Sequence, residues 1–464
     1  MKKEKKKIFV IVGAVVACLA VVYVGFGIFF QSHFCFGTTI DGIKAGGKSV
    51  EKVEQLITEE IDSYVLNLAE REDGSESISG ESIQIAPVFN GEVEELLNGQ
   101  NGFAWVVTLF KHDNLELAKV VTFDEDALDS QIDQLNCMQA SEQREPVDAT
   151  VSAYTADGYS LVPADYGTTI DKNTFKKAVE DSILVLADEL DLDEADCYVK
   201  PEIEDDNEKL LAVIDEMNSY VGTTITYDFD VAKEVLDGER ISEWLSVDDD
   251  LNLVVDEEGV LSFVKELASE YNTCYKPKEL KTSYGSTVTI SNGPYGWKIN
   301  NSEEVAQILD DLKAGKKVER EPVYAQTANS HGENDYGNSY VEINLTAQHL
   351  FLYKDGVLVT ESDFVSGNVA KGHATPGGAF MLTYKTLNAV LRGPDYETPV
   401  TYWMPFNGDI GMHDLTSRKA FGGDIYKTRG SHGCINLPYS AAKKIYETID
   451  KGYCVLVYNL PGTE

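Results

Sequence analysis

Basic side chains are scarce. Lys and Arg number 39 against 78 Asp and Glu, a formal charge of −39 over 464 residues. Beyond the tail Met1–Lys7 there is no basic stripe, so a phosphate backbone would be repelled and nucleic acid is excluded as a partner. Acidity of this order reflects solvated faces and points to no substrate. Cysteines are few and scattered. Cys18, Cys35, Cys137, Cys197, Cys274, Cys434 and Cys454 contain no C-x-x-C pair, which argues against a zinc ribbon or a disulfide-dense scaffold. An odd total leaves at least one thiol free even if others pair, and Cys454, within the apolar run Tyr453–Tyr458, reads as a buried strand residue. No H-E-x-x-H motif and no long low-complexity tract occur, and nothing calls for a metal or a cofactor.

One long apolar run is present. Ile8 to Phe30 carries no charge over 23 residues, and as a helix it would span about 34 Å, enough for the apolar layer of a bilayer. The basic tail, residues 1–7, predicts a cytoplasmic N-terminus, a transmembrane helix over 8–30 and an extracellular remainder at the cell wall. A cleaved signal peptide is the weaker reading, because the run is long and no A-x-A-like site follows it.

A repeat follows. Asp165-Tyr166-Gly167-Thr168-Thr169-Ile170-Asp171 precedes a helical pattern over Phe175–Leu186, and Pro294-Tyr295-Gly296-Trp297-Lys298-Ile299-Asn300 precedes another over Val305–Leu312, an offset of 129 residues. Each segment ends on Asp or Asn, a helix-capping residue. A third echo, Gly37–Asp41, precedes a helical stretch over Val50–Leu66. The expected layout is a membrane-proximal segment over 31–84, one α+β copy over 85–205, a second over 206–325 and a linker over 326–338. Residues 339–464 then form a mainly-β domain. Its expected strands lie at Val341–Leu345, Leu350–Tyr353, Val357–Thr360, Asp363–Ser366, Phe380–Tyr384 and Tyr453–Asn459, and a helix capped by Ser440 runs to Ile449. The fold class is α+β multidomain.

The chemistry gathers in the last domain. Ser431-His432-Gly433-Cys434-Ile435-Asn436 lies eighteen residues beyond His413. A thiol attacks an amide as thiolate, and histidines within reach would lower its pKa or take its proton. A glycine before the cysteine lets consecutive N–H groups converge on a developing oxyanion. Residue types and spacing agree on acyl transfer.

These residues resemble the L,D-transpeptidase family (YkuD type) of peptidoglycan cross-linking enzymes, marked by a histidine, a gap, and Ser/Thr-His-Gly-Cys. His373-Ala374-Thr375-Pro376-Gly377-Gly378 is similar to the family's H-x-T-P-x-G segment, and Tyr340–Gly356 to its opening hairpin. Four ordered matches cover about residues 339–459. The preceding copies resemble a peptidoglycan-binding domain that often precedes such modules, a role itself inferred, and spacers of the same fold remain an equal reading.

The resemblance implies a β-sandwich-like catalytic domain with Cys434 as nucleophile, His413 as general base and acid, and Ser431 orienting His413 by side chain or carbonyl. Gly433 and Cys434 would supply oxyanion donors, and His432 would bind substrate or tune the thiolate. His373, Tyr402, Trp403 and Asn436 are candidate substrate contacts, with Asn436 where many members have arginine; Tyr402, Trp403 and Phe406 could wall the groove, though aromatics at such spacing are more often core. The implied partners are peptidoglycan stem peptides, a tetrapeptide donor and an amine acceptor, giving cross-links between third residues in an enzyme that carbapenems acylate. An L,D-carboxypeptidase, a non-enzymatic wall-binding protein and, more remotely, a zinc hydrolase using His413, His432 and Cys434 are the alternatives.

Overall fold

The computed structural model describes residues 2–117, 120–332, 334–393 and 396–464. Met1 of the basic tail and Glu333 of the linker lie outside them. Seven thiols are free, so no pair among the cysteines forms a disulfide. The chain begins with the helix Lys2–Phe29. Within Glu4–Phe29 an 18-residue stretch has a mean hydropathy of 2.8 and is unburied by the protein, and the helix is long and apolar enough to cross a membrane.

The chain divides into two compact units, Met1–Thr150 with Leu161–Asn207, and Val151–Ser160 with Glu208–Glu464. In the first, helix Val50–Asp62 is capped by Ser49, whose Oγ accepts from Lys52 N, and buries Val53, Ile57 and Ile61 at four-residue spacing. It ends earlier than the expected Leu66. Val65–Ala69 alternates exposed and buried residues, a period of two that only a strand can bury on one side. That strand pairs antiparallel with Ser75–Ser79 and parallel with Glu189–Asp191, which follows the Asp171-capped helix Lys172–Leu184.

The second unit repeats this topology. Helix Glu208–Val221 leads into Thr224–Asp228, which pairs antiparallel with Lys233–Leu236 and parallel with Lys317–Arg320, the strand after the Asn300-capped helix Asn301–Lys313. The same order of helix, strand and paired strands thus recurs in the two units, and in the first it begins with helix Val50–Asp62. Val53, Ile57, Ile61, Leu66 and Leu68, from the segment expected to be membrane-proximal, share a core with Phe175, Val179 and Ile183.

The C-terminal domain is β-rich. A five-stranded sheet runs in the order Val357–Asp363, His349–Lys354, Tyr340–Asn344, Cys454–Tyr458, Gly378–Met381, and a four-stranded sheet in the order Thr386–Gly393, Tyr396–Asn407, Ile410–Asp414, Ile435–Leu437. Val341, Ile343, Leu350, Val455, Met404, Met412, Ile435 and Leu437 pack together as its core. Val357–Thr360 and Asp363–Ser366, expected as separate strands, are one strand as far as Asp363; the following residues turn aside, and Val365 bridges to Asn436. Helix Tyr439–Thr448 buries Ala441, Ala442 and Ile445. Pro438 holds its cap position, and Ser440, expected to cap it, lies inside the first turn.

Candidate active site

The gap between His413 and the Ser-His-Gly-Cys run has a topological cause. Strands Ile410–Asp414 and Ile435–Leu437 are parallel neighbours in which His413 pairs with Asn436. A parallel pair needs a crossover of about a dozen residues or more, and 415–434, with the short helix Ile425–Arg429, supply it. Cys434 immediately precedes the second strand, so this register carries it to the same end of the sheet as His413. Both line a pocket of about 200 Å³ with Leu391, Thr398, Arg418, Ser431, His432 and Asn436. A larger cavity of about 730 Å³ lies between helices Glu257–Tyr271 and Asn301–Lys313, among Glu257, Asn272, Lys298 and Asn300, with no nucleophilic thiol in its lining.

The cysteine loop is bolted to the segment Ser366–Asn368. Ser431 N donates to Ser366 O and Asn368 N to Ser431 O, both at 2.9 Å, and Val365 and Asn436 exchange two bonds at 3.0 Å. Thr375, from the H-x-T-P-x-G segment, donates through Oγ1 to Gly433 O at 2.6 Å and accepts from Gly367 N at 3.0 Å. Gly367 has no room for a side chain, since a Cβ would strike His373 O and lie 3.0 Å from Gly433 Cα. Gly433 sits at φ +128°, a conformation that excludes a side chain. Buried Gln348 in turn holds Ser366 through its backbone N–H and its hydroxyl.

His413 is 4% exposed. Its Nδ1 lies 2.9 Å from Asp414 O; a carbonyl only accepts, so Nδ1 carries the proton and Nε2 is the basic nitrogen. Burial pushes the imidazole below its ordinary pKa, opposed by that hydrogen bond and by the Asp414 charge. Trp403 covers it, ring centroids 5.9 Å apart. Asp414 is itself fixed, its Oδ1 accepting from Thr401 N at 2.7 Å and Tyr402 N at 2.8 Å. Burial raises the Cys434 thiol to about 11, against a lowering contribution from the Gly411 backbone N–H. Sγ donates to Asp409 O at 3.5 Å. Both shifts favour a resting thiol beside a neutral imidazole, with burial the largest cause of each. Alkylation of resting Cys434 by iodoacetamide should rise about tenfold per pH unit from pH 6 to 9 with no plateau. A plateau near neutrality would show an ion pair instead.

Ser431 has a different post from the one expected. Its Oγ donates to Cys434 O at 2.6 Å and accepts from Gly433 N at 3.0 Å, while its carbonyl accepts from Asn368. The His413 orienting acceptor is instead Asp414 O, one residue along its own strand. Gly433 N–H, expected as an oxyanion donor, is spent on Ser431, whereas Cys434 N–H has no partner among the described residues. Ser431→Ala should lower kcat about 10- to 100-fold, the cost of one or two orphaned polar groups, without moving the acid limb of the pH profile. A shift of that limb would restore Ser431 as the orienting group.

Asn436 lines the pocket, its Oδ1 buried without a hydrogen-bond partner. His373 meets the His432 ring edge-on at 4.7 Å. Trp403 backs His413, and Tyr402 is turned into the core against Tyr446. Two residues escaped the sequence reading. Thr375 lay within a quoted motif but had no role, and Arg418 lines the pocket with its Nε buried and unpartnered while NH2 donates to Arg429 O at 2.9 Å. The basic pair Arg418-Lys419 just past the motif histidine was the available signal for Arg418. The trio His413, His432 and Cys434 does not form a metal-binding cluster; among the described residues such a group is Glu70, Glu76 and Cys137, in the other unit.

Residues 338–457 match the L,D-transpeptidase catalytic domain family, YkuD. Residues 206–320 match a family described as "Putative peptidoglycan binding domain". Among solved structures, a mutant Enterococcus faecium L,D-transpeptidase is 32% identical, covering 53% of this chain and 99% of that one, with a TM-score of 0.44. An Ldtfm–avibactam carbamoyl enzyme is 33% identical over 54% of this chain and 98% of that one, TM-score 0.45. The catalytic domain of an E. faecium L,D-transpeptidase acylated by ertapenem is 43% identical over 26% of this chain and 98% of that one, TM-score 0.25. No curated protein sequence matches. Identity above 30% across nearly the whole of solved chains, with both family matches, defines a peptidoglycan-directed transpeptidase: the chain belongs to the L,D-transpeptidase family. Within it, the chain carries a peptidoglycan-binding domain ahead of a YkuD catalytic domain.

Proposed function

We propose that this enzyme, anchored by its N-terminal helix, cross-links the third residues of peptidoglycan stem peptides through a thioester on Cys434. The observation that carries the reading is the single pocket shared by Cys434 and a His413 whose Nδ1 is tied down and whose Nε2 is basic. Nε2 takes the thiol proton as Sγ attacks the carbonyl of stem residue three. Cys434 N–H, the free amide at this turn, receives the oxyanion. The imidazolium then protonates the departing amine, releasing D-alanine and leaving the thioester. An acceptor amine attacks the thioester, its proton passes to His413, the new amide forms and the thiol is restored. Asn436 Oδ1 is an acceptor suited to a stem-peptide N–H. The ertapenem adduct of the E. faecium relative supports the same nucleophile chemistry for this chain and acylation by carbapenems.

Arg418 supports a donor ending in a free carboxylate, because its buried Nε has no partner and the neighbouring Arg429 adds positive charge. Mass spectrometry of products from defined tetrapeptides should show dimers with loss of D-alanine. Tripeptide alone would mean that water resolves the acyl-enzyme, as in a carboxypeptidase. Arg418→Gln should raise KM for the free-acid donor about 10- to 100-fold, the worth of a charged hydrogen bond, and leave the C-terminal amide unaffected. Equal losses on both donors would remove Arg418 from carboxylate recognition.

A further inference from the structure

We propose that the segment Gly102–Phe110 is a second membrane contact, seated in the outer interfacial layer of the bilayer beside the end of the apolar helix, and that the helix is a permanent part of the first unit's fold. The inference rests on the anchor reading above. The last turns of the helix are packed into the unit. Tyr23 OH donates to Phe103 O at 2.7 Å, and Trp105 Nε1 donates to Tyr23 O at 3.2 Å. Phe26 meets Trp105 at 4.9 Å between ring centroids, and Phe30 meets Phe36 at 4.8 Å. Gln100 Nε2 donates to Phe30 O at 2.7 Å and to His33 O at 2.6 Å, while its Oε1 accepts from Cys35 N at 2.9 Å. Phe30 and Phe34 are fully buried. The approach is so close that a Cβ on Gly27 would fall on the Phe103 ring, and one on Gly102 would lie 2.9 Å from Gly27 O. Removing the helix as a leader would strip buried aromatic surface from this end of the unit.

The far side of the same segment faces outward and is apolar. Val106, Val107, Leu109 and Phe110 are 40%, 60%, 45% and 86% exposed. A patch of this kind marks a contact surface. Its occupant follows from continuity: the patch adjoins the end of a helix whose apolar residues 8–22 are exposed, so the surface that covers them extends over the patch. Tyr23 and Trp105, with apolar rings and polar tips, are the side chains that favour the headgroup level. The partner is therefore lipid, not a second copy of the chain.

The full chain, reconstituted in phosphatidylcholine–phosphatidylglycerol vesicles, tests this with four tryptophans, Trp105, Trp244, Trp297 and Trp403, of which the last three are in the other unit and at most 8% exposed. Lipids brominated near the headgroup end of the acyl chain should quench part of the emission. Trp105→Phe should abolish that quenching, and Val107→Asp/Phe110→Asp, which keeps Trp105, should sharply reduce it while the protein still floats with the vesicles. A floating wild type with no quenching overturns the proposal and leaves the anchor intact, as does self-association that shields Trp105 from brominated lipid. Intact mass of the cellular protein gives the other readout. Retention of residues 23–36 is expected, and cleavage before Phe36 would overturn the anchor and this inference together.

Discussion

Cys434→Ala is expected to yield no covalent adduct with stem peptide or carbapenem, and no turnover above background. Sγ is the only thiol in a pocket whose other polar side chains are two imidazoles, a guanidinium, an amide and the hydroxyls of Thr398 and Ser431, the latter held between Cys434 O and Gly433 N. Ala is also the mildest change available, because the Gly433 geometry, the Thr375 clamp and the pairing of Val365 with Asn436 are made by backbone or by other side chains. A folded Cys434→Ala protein, checked by an unchanged melting curve, should therefore lose all chemistry. Intact-mass spectra after incubation with a carbapenem decide it. An adduct on the variant would move the nucleophile elsewhere.

His413→Gln is expected to lower kcat by about 10²- to 10⁴-fold, the usual contribution of a positioned general base. The pKa directions make a sharper expectation. Burial favours neutral His413, so the base form persists below the ordinary histidine range and the acid limb of kcat/KM falls below about pH 6.5. Protonation at lower pH removes the acceptor and activity falls; the variant should lack this limb. Iodoacetamide alkylation of Cys434 should be little changed in the variant, because the resting thiol does not owe its state to an imidazolium. Catalysis and alkylation falling together would instead mean that His413 holds a thiolate.

The proposed catalytic residues were legible because His413 lies on a strand and the Ser-His-Gly-Cys run leads directly into its parallel partner, where spacing reports topology. Their supports were not. Nothing in the order of residues distinguishes Asp414 O from Ser431 as the acceptor for His413, since a backbone carbonyl carries no side-chain signature. The Thr375 bond to Gly433 O joins segments 58 residues apart. The strand pairing of the first unit was illegible for a similar reason: Val65–Ala69 is short, and its partner Glu189–Asp191 is met only after a long excursion. Helices were read well where apolar residues recur every fourth position, as in Phe175, Val179 and Ile183, and poorly at their ends, as with Ser440. Tyr402 shows the limit of composition, because an aromatic beside the motif suits groove and core alike until packing decides.

Burial raises the pKa of Cys35, Cys137, Cys197, Cys274, Cys434 and Cys454 alike. Oxidants consume thiolate far faster than thiol. A chain without cross-linked sulfurs thus gains durability against oxidants from keeping these atoms protonated, and Cys434 becomes vulnerable to peroxide chiefly when His413 draws off its proton.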